Sequence, residues 1–325
     1  MSAQPRQIGP VSLVLCTCNG AAFLGAQLAS LECQEGVQEI VAVDDESTDG
    51  TADLLRDRAR RDRRYRVFRN ERRLGIVRNF ERAIGLAQCP WIALSDQDDL
   101  WLSDKLARLR AAWDGRADLI HHASCQFRGR PPRTLSPAAG GHRKFAGSDV
   151  RRLLFRNTVI GHTTLIRADL VRSLRPFPGG VLHDWWIGAG AAVLGSVQYL
   201  DEYLVLYRIH ETNAYHPIGS RGCRLRAEHA MRLRLLQRLL GLPGLAPAAR
   251  SFAEDYRRRL LAAPAGFPYG LWRFYRRHAG LLFGSEAHPP SPFTAWRKSL
   301  TATLGRIRAP DAAPSVVARD PLPAR

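Results

Sequence analysis

Over its first two hundred residues the chain alternates short apolar runs with amphipathic stretches, and few architectures tolerate that rhythm. VSLVLC (11–16), EIVAVD (39–44), YRVFR (65–69), WIALSD (91–96) and ADLIHHA (117–123) have the length and side chains of strands. Between them, 21–34, 49–61, 77–88 and 103–113 carry apolar residues three or four apart. Leu24, Leu28 and Leu31 form one such helix face. Strands alternating with helices make βαβ units with right-handed connections, hence an α/β fold whose mainly parallel sheet is covered on both sides. VIGHTTLI (159–166) and VQYLDEYLVLYRI (197–209) read as further strands flanking a helix that starts near Asp184. Residues 128–147, rich in Pro, Gly and Arg, read as a loop. The pattern divides the chain into an α/β domain over 10–217, a basic helical extension over 218–308 and a disordered tail over 309–325.

Composition narrows the class. Hydrophobic residues make up 45% and charged residues 24% of the 325, an ordinary globular balance. No run approaches 18 apolar residues, and MSAQPRQIGP lacks the features of a secretory signal, so the expectation is a cytoplasmic protein. The six cysteines show no zinc-site or redox spacing and read as reduced thiols. The net charge of +18 is uneven: from Arg221 onward there are 19 Lys/Arg against 6 Asp/Glu. Nucleic acid, an anionic membrane surface and a solvated arginine-rich face all fit that excess, and charge alone does not choose.

The strand ends carry the chemistry, because ligands of open α/β sheets bind beyond the carboxyl ends of the strands. The first strand ends in Thr17-Cys18-Asn19-Gly20, the second in Asp44-Asp45-Glu46-Ser47-Thr48-Asp49-Gly50, the fourth in Ser95-Asp96-Gln97-Asp98-Asp99. So much negative charge repels itself unless a cation or hydrogen-bond donors offset it. In an extended segment Asp96 and Asp98 point to the same side, and two such carboxylates suit Mg²⁺ or Mn²⁺ carrying substrate phosphates. The plainer reading is that Asp45, Ser47 and Asp99 cap the following helices. GxGxxG, GxxxxGK[ST] and GxSxG motifs are all missing, so a diphosphate would be neutralised by the metal and nearby arginines.

VSLVLCTCNGAAFLGAQLASL, VAVDDESTDGT, RNERRLGIVRNFERAI, WIALSDQDDLWLSDKL, GHTTLI, HDWW and YLDEYLVLYRIHETN, in that order, resemble the family 2 glycosyltransferases of the GT-A fold over roughly residues 10–215. Within them the chain is most similar to the bacterial rhamnosyltransferase-like subgroup that builds surface polysaccharides. The resemblance implies an inverting hexosyltransferase that uses a nucleoside-diphosphate sugar, with rhamnose from dTDP-rhamnose first and a UDP-hexose second. It implies that Thr17 and Asn19 line the nucleotide pocket, Asp44 and Asp45 hold base and ribose, and Arg78 sits near the base or diphosphate. Asp96 and Asp98 match the DxD pair, with Asp98 the more direct metal ligand. His210 either completes the metal site or contacts the diphosphate, and Asp184 is the general base. Two departures stand out: Cys18 replaces a common aromatic, and His162 replaces a usual Cys, which puts nothing central in doubt.

Trp185 and Trp186 are read either as an acceptor-stacking wall or as core. LWRFYRRHAGLLF (271–283) and FTAWRKSLTATLGRI (293–307) fit an anionic membrane surface, or equally a helix packed on the domain. Membrane contact would suit a polyprenyl-diphosphate-linked acceptor, and the acceptor expected is a saccharide or such a lipid-linked one. Two other classes are set aside. A sugar-nucleotide nucleotidyltransferase would carry a Gly-rich basic loop after the first strand, where CTCNGAAF stands. A nucleic-acid-binding protein would not present acidic strand ends.

Overall fold

The computed structural model describes residues 7–132, 145–211, 213, 221–262, 267–283 and 291–307. Its first half alternates β1 (Val11–Thr17), α1 (Ala21–Glu32), β2 (Val37–Asp44), α2 (Thr51–Arg61), β3 (Tyr65–Arg69), α3 (Ile76–Leu86) and β4 (Trp91–Ser95). A two-residue β5 (Leu100–Trp101), α4 (Lys105–Ala112), β6 (Leu119–Phe127), β7 (Thr164–Arg167), α5 (Ala168–Ser173), α6 (His183–Leu194) and β8 (Val197–Arg208) follow. The remaining elements are all helical: α7 (Arg221–Leu239), α8 (Pro247–Leu261), α9 (Tyr269–Arg277), α10 (Ala279–Phe283) and α11 (Pro292–Ile307). The segment 133–144 of the expected loop, the 217/218 boundary and the tail from 309 lie outside the described residues.

The strands form one sheet of eight in the order β3-β2-β1-β4-β7-β6-β8-β5. β1 is flanked by β2 and β4, all parallel, and β3 extends that set. Beyond β4 the sheet is mixed: β7 runs antiparallel to both β4 and β6, β8 is parallel to β6, and β5 is antiparallel to β8. The apolar runs identify strands but not their directions, so the antiparallel insert of β7 is invisible in the pattern.

Period-two alternation sorts the strand residues into two cores. Leu13 and Leu15 of β1 face α1 and α4 with Leu24, Leu28, Leu31, Leu106 and Leu109. Val14 and Cys16 face the other way, toward Phe80, Ile84, Trp186 and Ile187 of α3 and α6. Each such fully buried aliphatic side chain contributes on the order of 1.5–3 kcal/mol. The carboxyl ends of β1 and β4, where the strand order departs in opposite directions, are thereby fixed side by side. This is the switch point at which such sheets bind ligands.

The second core also takes in Leu235, Leu236 and Leu239 of α7, Phe252 and Tyr256 of α8 and Phe274 and Tyr275 of α9. Tyr256 and Tyr275 join their hydroxyls at 3.1 Å, and Arg232 donates to the Phe155 carbonyl at 2.8 Å while lying over that ring. The arginine-rich helices thus turn an apolar face onto the α/β core. No helix among the described residues is long and apolar enough to cross a membrane.

We expect Tyr256→Ala to lower the unfolding free energy by about 3–5 kcal/mol in a single transition. Denaturant titration followed by tryptophan fluorescence and circular dichroism checks this, and a separate transition for the last helices would contradict the shared core.

Candidate active site

The exits of β1 and β2 are one hydrogen-bonded unit. Asp44, wholly buried at the end of β2, accepts the Thr17 hydroxyl and the Ser47 N–H, each at 3.0 Å, with Arg69 Nε 3.5 Å away. Ser47 Oγ accepts the Asn19 N–H, and Asn19 Oδ1 accepts the Thr48 N–H, both at 2.8 Å. Asn19 and Glu46 take positive φ, 49° and 58°, a region few non-glycine residues occupy, so the chain pivots sharply at both strand ends. Asp45 looks toward the next connection, accepting Asn70 Nδ2 at 2.6 Å and the Leu74 and Gly75 N–H groups at 2.7 and 2.8 Å. It therefore caps the entry to α3 rather than α2, whose first turn is held by Asp49.

These contacts qualify the expected nucleotide residues. Thr17, Asp44 and Asp45 are buried braces engaged in internal hydrogen bonds. Asn19 stays exposed on the rim. Arg78, also exposed, pairs with Glu81 one turn along α3. Gln97 ties β1 to β4, accepting the Cys18 N–H at 2.8 Å and donating to the Cys18 carbonyl at 3.0 Å. A Cβ at residue 20 would meet that amide and force the Gln97 side chain to shift.

The Asp96–Asp99 segment is a bend, not a continuation of β4, so the side-to-side alternation expected for Asp96 and Asp98 does not apply. What brings the acids together is their partners. Asp98 Oδ2 shares a hydrogen bond with His210 Nε2 at 2.7 Å and accepts from Asn213 Nδ2 at 3.3 Å, both just past β8, and Arg208 donates to the Asp98 carbonyl at 2.9 Å. Asp96 Oδ2 lies 3.3 Å from His162 Nδ1, which also lies 3.0 Å from Asp99 Oδ2 as an ion-pair contact. Asp99 Oδ1 accepts the Arg208 N–H at 3.2 Å. Asp99 therefore anchors β8 and caps no helix. Beneath it Lys105, fully buried, donates to the His162 carbonyl at 2.7 Å and sits 3.2 Å over the Trp101 ring.

The electrostatics follow from burial and like charge. Burial, then Asp99 and Asp96, push the Asp98 carboxyl up to about 8. Burial would hold His162 low, but Asp99 and Asp96 reverse it and push it up to about 10. Asp96 is likewise disfavoured by burial yet held below its usual value by His162, His183 and Lys105. Burial pulls Lys105 well below the usual lysine value against those two carboxylates.

Asp184 lies in the first turn of α6. Oδ2 accepts the Gly161 N–H at 3.2 Å and Oδ1 the Trp185 N–H at 2.7 Å, and burial raises its carboxyl above the ordinary range. His183 beside it stacks on Phe80 at 4.0 Å, and burial keeps its imidazole below its usual pKa. The acceptor wall is overturned. Trp185 and Trp186 expose only 4% and 1% of their surface, and their indole N–H groups donate to the Leu153 and Leu174 carbonyls. The first turn of α6 turns its acid to the cleft and its aromatic rings to the core.

A divalent cation fits this donor set. A buried carboxyl whose pKa is raised by burial and by two neighbouring acids is an arrangement a hard cation relieves. Asp96, Asp98 and His210 retain 32%, 11% and 15% side-chain exposure, leaving room for further oxygen ligands. Among the described residues the acid and histidine ligand atoms that lie within 4.8 Å of one another are those of Asp96, Asp99 and His162, not those of Asp96, Asp98 and His210, and Asp99 and His162 are almost fully buried. Gln97, His162, Lys105 and Asn213 escape a sequence reading. Their carbonyl, imidazole and amide contacts are made across 57 to 115 residues of chain, and nothing in local spacing signals them.

The comparisons bear on the fold. Residues 12–173 match the Glycosyl transferase family 2 profile. The chain is 29% identical over 212 residues to the putative glycosyltransferase EpsH of Bacillus subtilis, covering 62% of this chain and 61% of that protein. It spans between about half and two-thirds of the length of such curated relatives. S. aureus TarS 1–349, solved with UDP-GlcNAc, superposes with TM-score 0.60 at 17% identity over 92% of this chain and 90% of that one. The mannosyltransferase PcManGT of Pyrobaculum calidifontis, solved with GDP-Man and Mn²⁺, gives 0.55 at 19% identity over 94% and 88%. Residues 12–173 are thus similar to glycosyl transferase family 2, and the fold is the GT-A fold of these solved neighbours.

Because its ring is core, Trp186→Ala is expected to cost about 3–5 kcal/mol of unfolding free energy. An unchanged denaturation midpoint with impaired acceptor use would put the ring back in the cleft.

Proposed function

We propose that this chain is an inverting glycosyltransferase dependent on Mg²⁺ or Mn²⁺, moving a sugar from a nucleoside diphosphate to a saccharide or polyprenyl-diphosphate-linked acceptor in surface polysaccharide synthesis. The observation that carries this reading is the convergence of Asp98, His210 and Asn213 with Asp96 beside it. Solved proteins of the same fold holding UDP-GlcNAc, or GDP-Man with Mn²⁺, support a nucleotide-sugar donor and a metal. dTDP-rhamnose is the first candidate donor, by the subgroup resemblance, and a UDP-hexose the second.

Asp96, Asp98 and His210 would hold the cation, which when bound offsets charge on the departing diphosphate. Asn213 and Arg208 keep Asp98 in place. Asp184 accepts the proton of the acceptor hydroxyl as that oxygen attacks the anomeric carbon from the face opposite the diphosphate, which inverts the centre. Its N–H contacts from Gly161 and Trp185 fix the carboxylate, and its burial makes it a stronger base than a solvated carboxylate.

Asp98→Ala is expected to abolish metal-dependent release of nucleoside diphosphate in a donor screen. Asp184→Asn should keep donor binding and lose about 10²–10⁴-fold in transfer; transfer at the normal rate would refute the base assignment. The active form of Asp184 is deprotonated and its pKa is raised, so turnover should fall as pH drops through that raised value, a limb missing from the Asp184→Asn profile.

The proposal places the enzyme in the cytoplasm, at the inner face of the membrane, with no nucleic-acid partner. Phe293 and Trp296, 70% and 42% exposed, stack at the start of α11 beside exposed Arg297 and Lys298. Aromatic and basic side chains together suit an anionic lipid interface. Vesicles containing anionic lipid should sediment the protein while neutral vesicles do not, and Phe293→Ser with Trp296→Ser should release it. Equal sedimentation of that variant would locate any lipid contact elsewhere.

A further inference from the structure

We propose that His162 is a positioning residue for the metal site: it fixes the Asp96 carboxylate by one oxygen so that the other is presented to the cation. This inference rests on the reading that Asp96 holds a divalent ion.

The geometry is specific. His162 is 2% exposed, and its Nδ1 sits between Asp96 Oδ2 at 3.3 Å and Asp99 Oδ2 at 3.0 Å. Both neighbours of that nitrogen are acceptors, so Nδ1 carries a hydrogen. The other ring nitrogen has no hydrogen-bond partner among the described residues, so the ring is oriented from the carboxylate side. The backbone of residue 162 is held from below, its carbonyl accepting the buried Lys105 ammonium at 2.7 Å, and the Tyr207 ring closes the outer face 5.0 Å from the imidazole. Asp99, wholly buried and tied to the Arg208 N–H, is the fixed end of the chain of contacts, and Asp96 is the end that reaches the cleft.

Asp96 Oδ1 takes no hydrogen bond among the described residues. Without His162 the carboxylate is free to rotate about its side-chain bonds and is repelled by Asp98 and Asp99. A ligand must then be ordered at the moment of binding, and groups that orient a ligand are worth about 10- to 100-fold in metal affinity. A purely structural ion pair makes a different prediction: its removal lowers stability and leaves metal affinity unchanged in the folded fraction.

The test is titration of the full chain, without donor, with Mn²⁺ alone, read by calorimetry or by the spectrum of free Mn²⁺, alongside thermal unfolding. Asp98→Ala serves as the control, and its failure to weaken Mn²⁺ binding would overturn the metal reading itself. Given that control, His162→Leu should weaken Mn²⁺ binding about 10- to 100-fold. His162→Asn, whose amide nitrogen can stand near the Nδ1 position, should recover most of that loss. If His162→Leu does not fold, Asp99→Asn carries the test, since it removes the anchor that turns the imidazole and should also weaken Mn²⁺. Unchanged affinity in a folded His162→Leu or Asp99→Asn protein, with Asp98→Ala impaired, would overturn the positioning role alone.

Discussion

Three carboxylates within four residues, Asp96, Asp98 and Asp99, cannot share one strand end without a counter-arrangement, and the rest of the site is that arrangement. Each acid has its own donors from a different part of the chain: His162 before β7 for Asp96, His210 and Asn213 after β8 for Asp98, and the Arg208 N–H for Asp99. β7 and β8 therefore have to lie where they do. The antiparallel β7 brings residue 162 beside the end of β4, and β8 ends level with the bend. Mixed direction in this half of the sheet is the geometric condition for neutralising the acidic bend.

The division of labour among the acids can be read from burial. Asp44 and Asp45 are fully engaged inside the protein and shape the loops around β1 and β2. Asp99 is likewise internal. Only Asp96, Asp98 and Asp184 combine limited exposure with acceptor atoms not saturated by strong donors, and burial raises both Asp98 and Asp184 above the carboxylate range. Burial acts in the same direction at both positions, and at Asp98 two neighbouring acids add to it.

Much of this was legible in the sequence, for stateable reasons. The parallel strands β1 to β4 and helices α1 to α4 show period-two and period-3.6 patterns, which report on one buried face at a time. Acidic strand ends are visible because they interrupt apolar runs. The functions of Trp185 and Trp186 were not legible: an aromatic pair in a helix's first turn looks the same whether it lines a cleft or a core. Only the carbonyls of Leu153 and Leu174, far away in sequence or folded back from the preceding helix, decide it. The contacts of His162 are silent in the sequence for the same reason. A histidine in GHTTLI carries no local mark that two acids some sixty residues earlier will enclose it.

The C-terminal charge is explained by the same contrast between pattern and packing. Arg232, in α7, lies over Phe155 and donates to its carbonyl, so part of the arginine excess is spent on covering the core. Those contacts take up the apolar faces of α7 to α9 and join them to the core that also holds Trp185, Trp186 and Ile187 of α6. The helical layer is therefore part of the α/β core by packing, whatever its outer face meets, whereas Phe293 and Trp296 of α11 stay exposed outside it.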